Sequence, residues 1–219
     1  MDERALRDLN DLAERDADLA AEAARLRALD GEVAALRSRA EAIDAFFAAY
    51  PDEEARRREV AAAAEEELER RRVELADADA ALAGARDEES RERAESVLTR
   101  ARDHVAVAEA ALERASADAD GLEREASALP EEVPRLEQRA QDVAREVEHV
   151  PPAPAGVRGL VEWASQAHAE LFVAAGQLDT QRDRVIREAN ELATMLLGEP
   201  TYGSTVAQLA ERVLPLAGE

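Results

Sequence analysis

Eight residues, Leu26, Leu29, Val33, Leu36, Ala40, Ile43, Phe47 and Tyr50, follow one another at alternating steps of three and four. On an α-helix these steps place all eight side chains along one narrow stripe, and such a stripe is hidden from water only by a partner helix. Upstream, Ala5, Leu9, Leu12, Asp16, Leu19, Ala23 and Leu26 obey the same rule in the other phase. The phases meet through two successive steps of three at Ala23, Leu26 and Leu29, a stammer that locally overwinds a coiled coil, and Asp30 with Gly31 at the join suits a bend.

Three of the six aromatics, Phe46, Phe47 and Tyr50, stand at the end of this stripe, directly ahead of Pro51. Pro51 lacks the N–H needed to continue a helix but fits the first position of a new one, and Asp52, Glu53 and Glu54 suit the positive end of its dipole. Helices over about 3–50 and 52–84 are therefore expected, with the aromatics filling the corner between them. If Phe47 is a buried anchor there, its replacement by Ala costs about 3–5 kcal/mol.

Beyond the corner, Ala61, Ala64, Leu68, Leu75, Ala78, Leu82 and Ala85 continue the seam, with Arg71 as a polar intruder. Residues 84–93, GARDEESRER, hold almost no apolar side chain. They form either the tip of a hairpin, the favoured reading, or a solvated stretch of one helix from 52 to 129. Periodicity resumes at Ala94, Leu98, Ala101 and Val105 and runs to Leu129, giving a helix over about 92–129. Pro130 and Pro134 repeat the restart seen at Pro51 and open a short helix over about 135–148.

Residues 150–159, VPPAPAGVRG, carry three prolines and two glycines and read as a linker. From 160 to 197 the apolar stripe widens beyond two positions per heptad, the mark of a helix packed on more than one neighbour, and Gly198 and Pro200 end it. Thr205 and Gln208 form a capping box that opens a last helix near 206–214. The expected fold class is all-α: an elongated antiparallel coiled coil or helical bundle over 1–149, then a linker and a smaller C-terminal helical segment over 160–219.

Composition agrees with long helices, since 36% of residues are charged, 3% are aromatic and Ala supplies much of the apolar content. A formal charge of -22 repels phosphate backbones and anionic head groups, which disfavours nucleic acid and membrane surfaces as partners. The chain has no Cys, so it holds no disulfide, zinc-thiolate site or thiol nucleophile. All 28 basic residues are Arg, which removes the lysine of a phosphate loop or a Schiff base. With no apolar run of about 18 residues and no signal-peptide pattern in MDERALRDLN, a soluble cytoplasmic protein is the expectation.

Motifs that carry chemistry are weak. Glu146 and His149 have the Glu-x-x-His spacing of di-iron bundles, but such a site needs a second pair and the sequence has none, so no metal or cofactor is expected. His104 reads as a polar residue flanking the seam. Paired carboxylates are uninformative at this acidity, and no Gly-x-Ser-x-Gly or His-Glu-x-x-His occurs. The triplets Arg56-Arg57-Arg58 and Arg70-Arg71-Arg72 lie two heptads apart among acids at three- and four-residue spacing, which makes them salt-bridged solvated faces in preference to an anion stripe. Trp163, Phe172 and Tyr202 are core anchors of a small bundle or, if exposed, a docking patch.

Gly84-Ala85-Arg86-Asp87-Glu88 resembles the hairpin tip of the bacterial phage-shock protein A family, which implies a long helical hairpin and membrane remodelling. That family's lipid-inserting amphipathic N-terminal helix has no counterpart in MDERALRDLNDLAERD, where acids crowd the lipid-facing side. Helical hairpins with charged tips also resemble the coiled-coil arms of chromosome-maintenance ATPases, and neither resemblance carries a residue across. The expected function is that of a non-enzymatic structural or scaffold coiled coil acting on a protein partner or itself as a homo-oligomer. A membrane-remodelling or nucleoid-associated coiled coil is the alternative. The residues expected to mediate contact are Phe46, Phe47, Tyr50, Trp163, Phe172 and Tyr202.

Overall fold

A computed structural model describes residues 3–201 and 203–213. The chain is all-α, with helices α1 (Glu3–Gly84), α2 (Glu88–Glu146), α3 (Val157–Leu197) and α4 (Val206–Val213), and no strand among the described residues. It divides into two compact units, one formed by Met1–Glu41 with Arg135–Glu219 and the other by Ala42–Pro134.

In the Ala42–Pro134 unit α1 and α2 lie antiparallel. Arg72 reaches Glu109 at 3.4 Å, and Arg57 Nη1 donates to the Asp118 carbonyl at 2.6 Å, so rising numbers on one helix meet falling numbers on the other. Ile43, Leu68 and Ala78 on α1 and Leu98, Ala101, Ala108, Ala115, Leu122 and Leu129 on α2 are buried. Between the helices stand only Ala85, Arg86 and Asp87. Asp87 Oδ1 accepts the Ser90 N–H at 2.8 Å and Ser90 Oγ accepts the Asp87 N–H at 3.3 Å, a reciprocal cap that starts α2 at Glu88. Residues 84–93 are thus a hairpin tip, tighter than expected, and the helix expected from 92 begins four residues earlier.

The Met1–Glu41/Arg135–Glu219 unit is a bundle whose third helix changes along its length. In one layer Leu26, Leu29, Val33, Leu36 and Ala40 of α1 join Ala140 and Val143 of α2 and Leu160, Trp163, Ala164, Ala167 and Leu171 of α3. In the other, Leu6 and Leu9 meet Ala189 and Ala193 of α3 and Val206, Leu209, Ala210 and Val213 of α4. Pairings of Glu32 with Arg139, Asp30 with His168 and Asp16 with Arg182 show that α2 and α3 both run antiparallel to α1. The segment between them must therefore double back. It does so packed: Val150 is buried, the Pro151 carbonyl accepts the Trp163 indole N–H at 2.7 Å, and Glu137 Oε1 accepts the Gly156 N–H at 2.7 Å. Pro154 lies so close to Gly159 that a Cβ there would stand 2.9 Å from the proline ring. Residues 150–159 are a strap within one unit and not the domain linker that their prolines suggested.

Both ends of the C-terminal segment follow local rules. Gly198 takes φ 69°, a left-handed conformation that glycine adopts freely, and its N–H caps the Thr194 carbonyl. The capping box of Thr205 and Gln208 forms in both directions, at 3.3 and 3.0 Å, and opens α4 one residue later.

The corner at Pro51 does not exist. α1 passes through Pro51, and α2 through Pro130 and Pro134, so the expected pairs 3–50/52–84 and 92–129/135–148 are each one helix. Asp30-Gly31 likewise lies inside α1 without a break. Spacing explains this. Phe47, Tyr50, Glu54, Arg57, Ala61, Ala64 and Leu68 keep the three-four alternation across Pro51, as do Ala126, Leu129 and Val133 across Pro130. Pairing on both sides of each proline holds one helical phase, and the ring of Pro51 stands on an exposed position, as does that of Pro130. The lost hydrogen bond still has a cost. Pro51→Ala is expected to raise unfolding stability by about 1–3 kcal/mol, after allowance for the freer unfolded chain, with unchanged helix content; urea titration checks it.

Candidate interaction surfaces

The six residues expected to mediate contact have different fates. Trp163 is 3% exposed and its indole N–H is bonded, so it is a core anchor of the strap and not a docking residue. Phe46 and Tyr50 are half-buried beside Phe47, with ring centroids 5.6 Å (Phe46–Phe47, edge-on) and 5.9 Å (Phe46–Tyr50) apart. Phe47 remains 41% exposed although it occupies a seam position. Phe172 is 70% exposed. Tyr202 lies outside the described residues.

The aromatic trio sits against charge. Tyr50 Oη donates to Glu54 Oε1 at 3.3 Å, and partial burial, with Glu54 and then Glu123 nearby, pushes the phenol above its ordinary value against the opposing pull of Arg58. A groove of about 170 Å³ opens here between Tyr50, Glu54 and Arg58 of α1 and Ala119, Leu122 and Glu123 of α2. Its walls are already ion-paired: Arg58 binds Glu54 at 2.7 Å, while Glu53 takes both Arg56 and Arg57 at 2.7 Å. Hydrogen bonds from Arg56 and Arg57 lower the Glu53 carboxyl from 4.5 to about 2.

The second triplet repeats the pattern, with Arg70 on Glu67, Arg71 on Glu67 and Glu74, and Arg72 across to Glu109. Both arginine triplets are therefore solvated ion-pair faces, as their spacing indicated. Arg57 and Arg71 stand in the seam itself: Arg57 donates across to the Asp118 carbonyl of α2, and Arg71 bonds Glu67 and Glu74 on its own helix. Another polar seam residue, Asp16, is only 13% exposed and holds Arg182 at 2.7 Å; this bond raises the guanidinium further.

On α3 the outer face is of another kind. Phe172 lies beside His168, its ring tilted by 39° with centroids 6.3 Å apart, Val173 is 53% exposed next to it, and Gly176 lies one turn on with nothing within 4 Å of where its Cβ would be. His168 turns inward to Asp30 at 2.6 Å. The sequence placed Phe172 in a wide apolar stripe, but the exposed sector of that stripe became visible only when α1 and α2 were seen to cover the other side. Met195, 74% exposed, was missed because one apolar residue in a helix of mixed pattern carries no directional signal.

Among the described residues no three metal-ligating side chains come together, and no helix is long and apolar enough to cross a membrane. No family model, curated protein or solved structure matches the chain.

Burial ranks the aromatic anchors. Trp163→Ala is expected to destabilise by about 3–5 kcal/mol, Phe172→Ala to stay within about 0.5 kcal/mol of wild type, and Phe47→Ala to fall between, below the cost of a fully buried ring; urea titration of the three variants checks the order. For Glu53, whose carboxyl is depressed in the fold, the ion pairs stabilise fully above pH 4.5 and lose that contribution as pH falls through about 2. Thermal melts should accordingly show wild type above Glu53→Gln at neutral pH, with the gap closing towards pH 2.

Proposed function

We propose that the chain is a non-enzymatic coiled-coil scaffold of the cytoplasm that works by contact with protein, either a second copy or another partner. The observation that supports this reading best is where its large apolar side chains lie. Phe172, Val173 and Met195 in one unit and Phe47, Val97 and Val107 in the other are 41 to 74% exposed, on helices whose Ala-rich seams leave little apolar area inside. Exposed side chains of this size gain free energy when a protein surface covers them.

The charged groups support the same reading. The pKa displacements of Glu53, Arg56, Arg71 and Arg182 arise from ion pairs along helix surfaces, and that of Asp87 from the α2 cap, so each has a structural cause. Acidity weighs against the membrane and nucleoid alternatives, since a chain of net -22 gains little counterion release from phosphates.

The test sets protein contact against the phosphate-bearing surfaces. Sedimentation equilibrium on the full chain, vesicle pelleting with anionic lipid and DNA retention at low salt are run side by side. The reading predicts a mass above the 23.8 kDa of one chain, or a monomer bound by neither surface. A chain carried down by vesicles, or held on DNA until salt releases it, overturns the scaffold reading whatever its mass.

A further inference from the structure

We propose that the outer face of α3 is a self-association surface, on which two copies pair their α3 helices antiparallel with Phe172 of each over Gly176 of the other. This rests on the scaffold reading and names its surface and partner.

The first support is charge. Residues 165–181 include two charged side chains among seventeen, Glu170 and Asp179, in a chain where 36% are charged. Asp179 is paired with Arg27, which leaves Glu170 as the remaining acid of that stretch. Two chains of net -22 repel each other on approach, and the repulsion is least where this stretch of surface is presented. A basic partner would gain most on the acidic faces instead. A face with one unpaired acid on so acidic a chain fits a second copy of itself.

The second support is Gly176. Glycine inside a helix is unfavourable, and at Gly176, as at Gly31 and Gly121, a Cβ would meet nothing within 4 Å; what sets Gly176 apart is its place beside Phe172 and Val173. Directly before it stand the large exposed side chains of Phe172 and Val173, and one heptad before it the small Ala169. A ring and a notch four residues apart on one helix are self-complementary under a two-fold axis, so one contact generates its mate. In this register the two copies of Glu170 are offset by eight residues, about 12 Å along the helix, which exceeds the screening length of about 8 Å at physiological salt. One helix pair buries less than a standard interface, so a weak dimer with Kd on the order of micromolar is expected.

The chain has no Cys, which makes the test clean. Sedimentation equilibrium of the full chain should show a dimer that strengthens with added salt, as screening relieves repulsion while apolar contact persists. Phe172→Ala should raise Kd roughly tenfold or more with unchanged circular dichroism. Gly176→Ala should act with opposite signs, raising the melting temperature of dilute protein through helix propensity while weakening the dimer. Val173→Cys should cross-link under mild oxidation, and Val107→Cys on α2, 66% exposed, should not. A dimer indifferent to Phe172→Ala, or one that cross-links in the Val107→Cys variant and not in Val173→Cys, overturns the α3 surface and leaves the scaffold reading standing. A chain that is monomeric at every concentration and salt overturns self-association, while the scaffold reading is then judged by the vesicle and DNA arms alone.

Discussion

The structure depends on one stripe along α1. Leu26, Leu29, Val33, Leu36 and Ala40 form one wall of the core in the first unit, and Ile43, Leu68 and Ala78 do so in the second. Every other element is placed by what covers that stripe. α2 covers it from Ile43 onward, α2 and α3 together cover Leu26 to Ala40, and α3 with α4 covers Leu6 and Leu9. Because the stripe keeps its phase across Pro51, a residue that would end an isolated helix is held inside a long one.

Polar seam positions follow from how many helices cover the stripe. Where three helices meet, the layer is apolar and Trp163 can be buried whole. Asp16 is paired with Arg182 on α3, between the two core layers of that unit, and the half-exposed guanidinium keeps one side in water. In the two-helix hairpin Arg57 reaches the Asp118 carbonyl of α2, and Arg71 is held by acids of its own helix. An arginine with a long stem suits such a position, since methylenes cover the neighbouring helix while the charge stays solvated.

This arrangement also decides where large apolar side chains are left exposed. Arginine triplets neutralise acids along α1, yet the chain as a whole keeps a large negative charge that works against close approach of copies. On α3 the covering helices α1 and α2 take the apolar inner side, and between Ser165 and Gln181 the exposed positions are mostly aromatic, small and amide residues, with charged ones such as Glu162 and Asp183 to either side. The fold thus places the arginine triplets on the α1–α2 hairpin and the exposed Phe172 and Val173 on a different helix.

Sequence alone determined the helical class, the heptad seams, the salt-bridged faces around both arginine triplets and the cap made by Thr205 and Gln208, and it left the turn after Gly84 as one of two readings. These depend on neighbours within about one helical turn, and side chains three or four apart meet whatever the rest of the chain does. Tertiary structure decided three things that local signals misplaced. Pro51 sits within a helix because partners grip both sides of it. The proline-rich strap belongs to a core because α2 and α3 run parallel and the chain must return between them. Trp163 is hidden while Phe172 is bare, although both lie in one apolar helix, because burial depends on which sector the distant segments α1 and α2 come to cover.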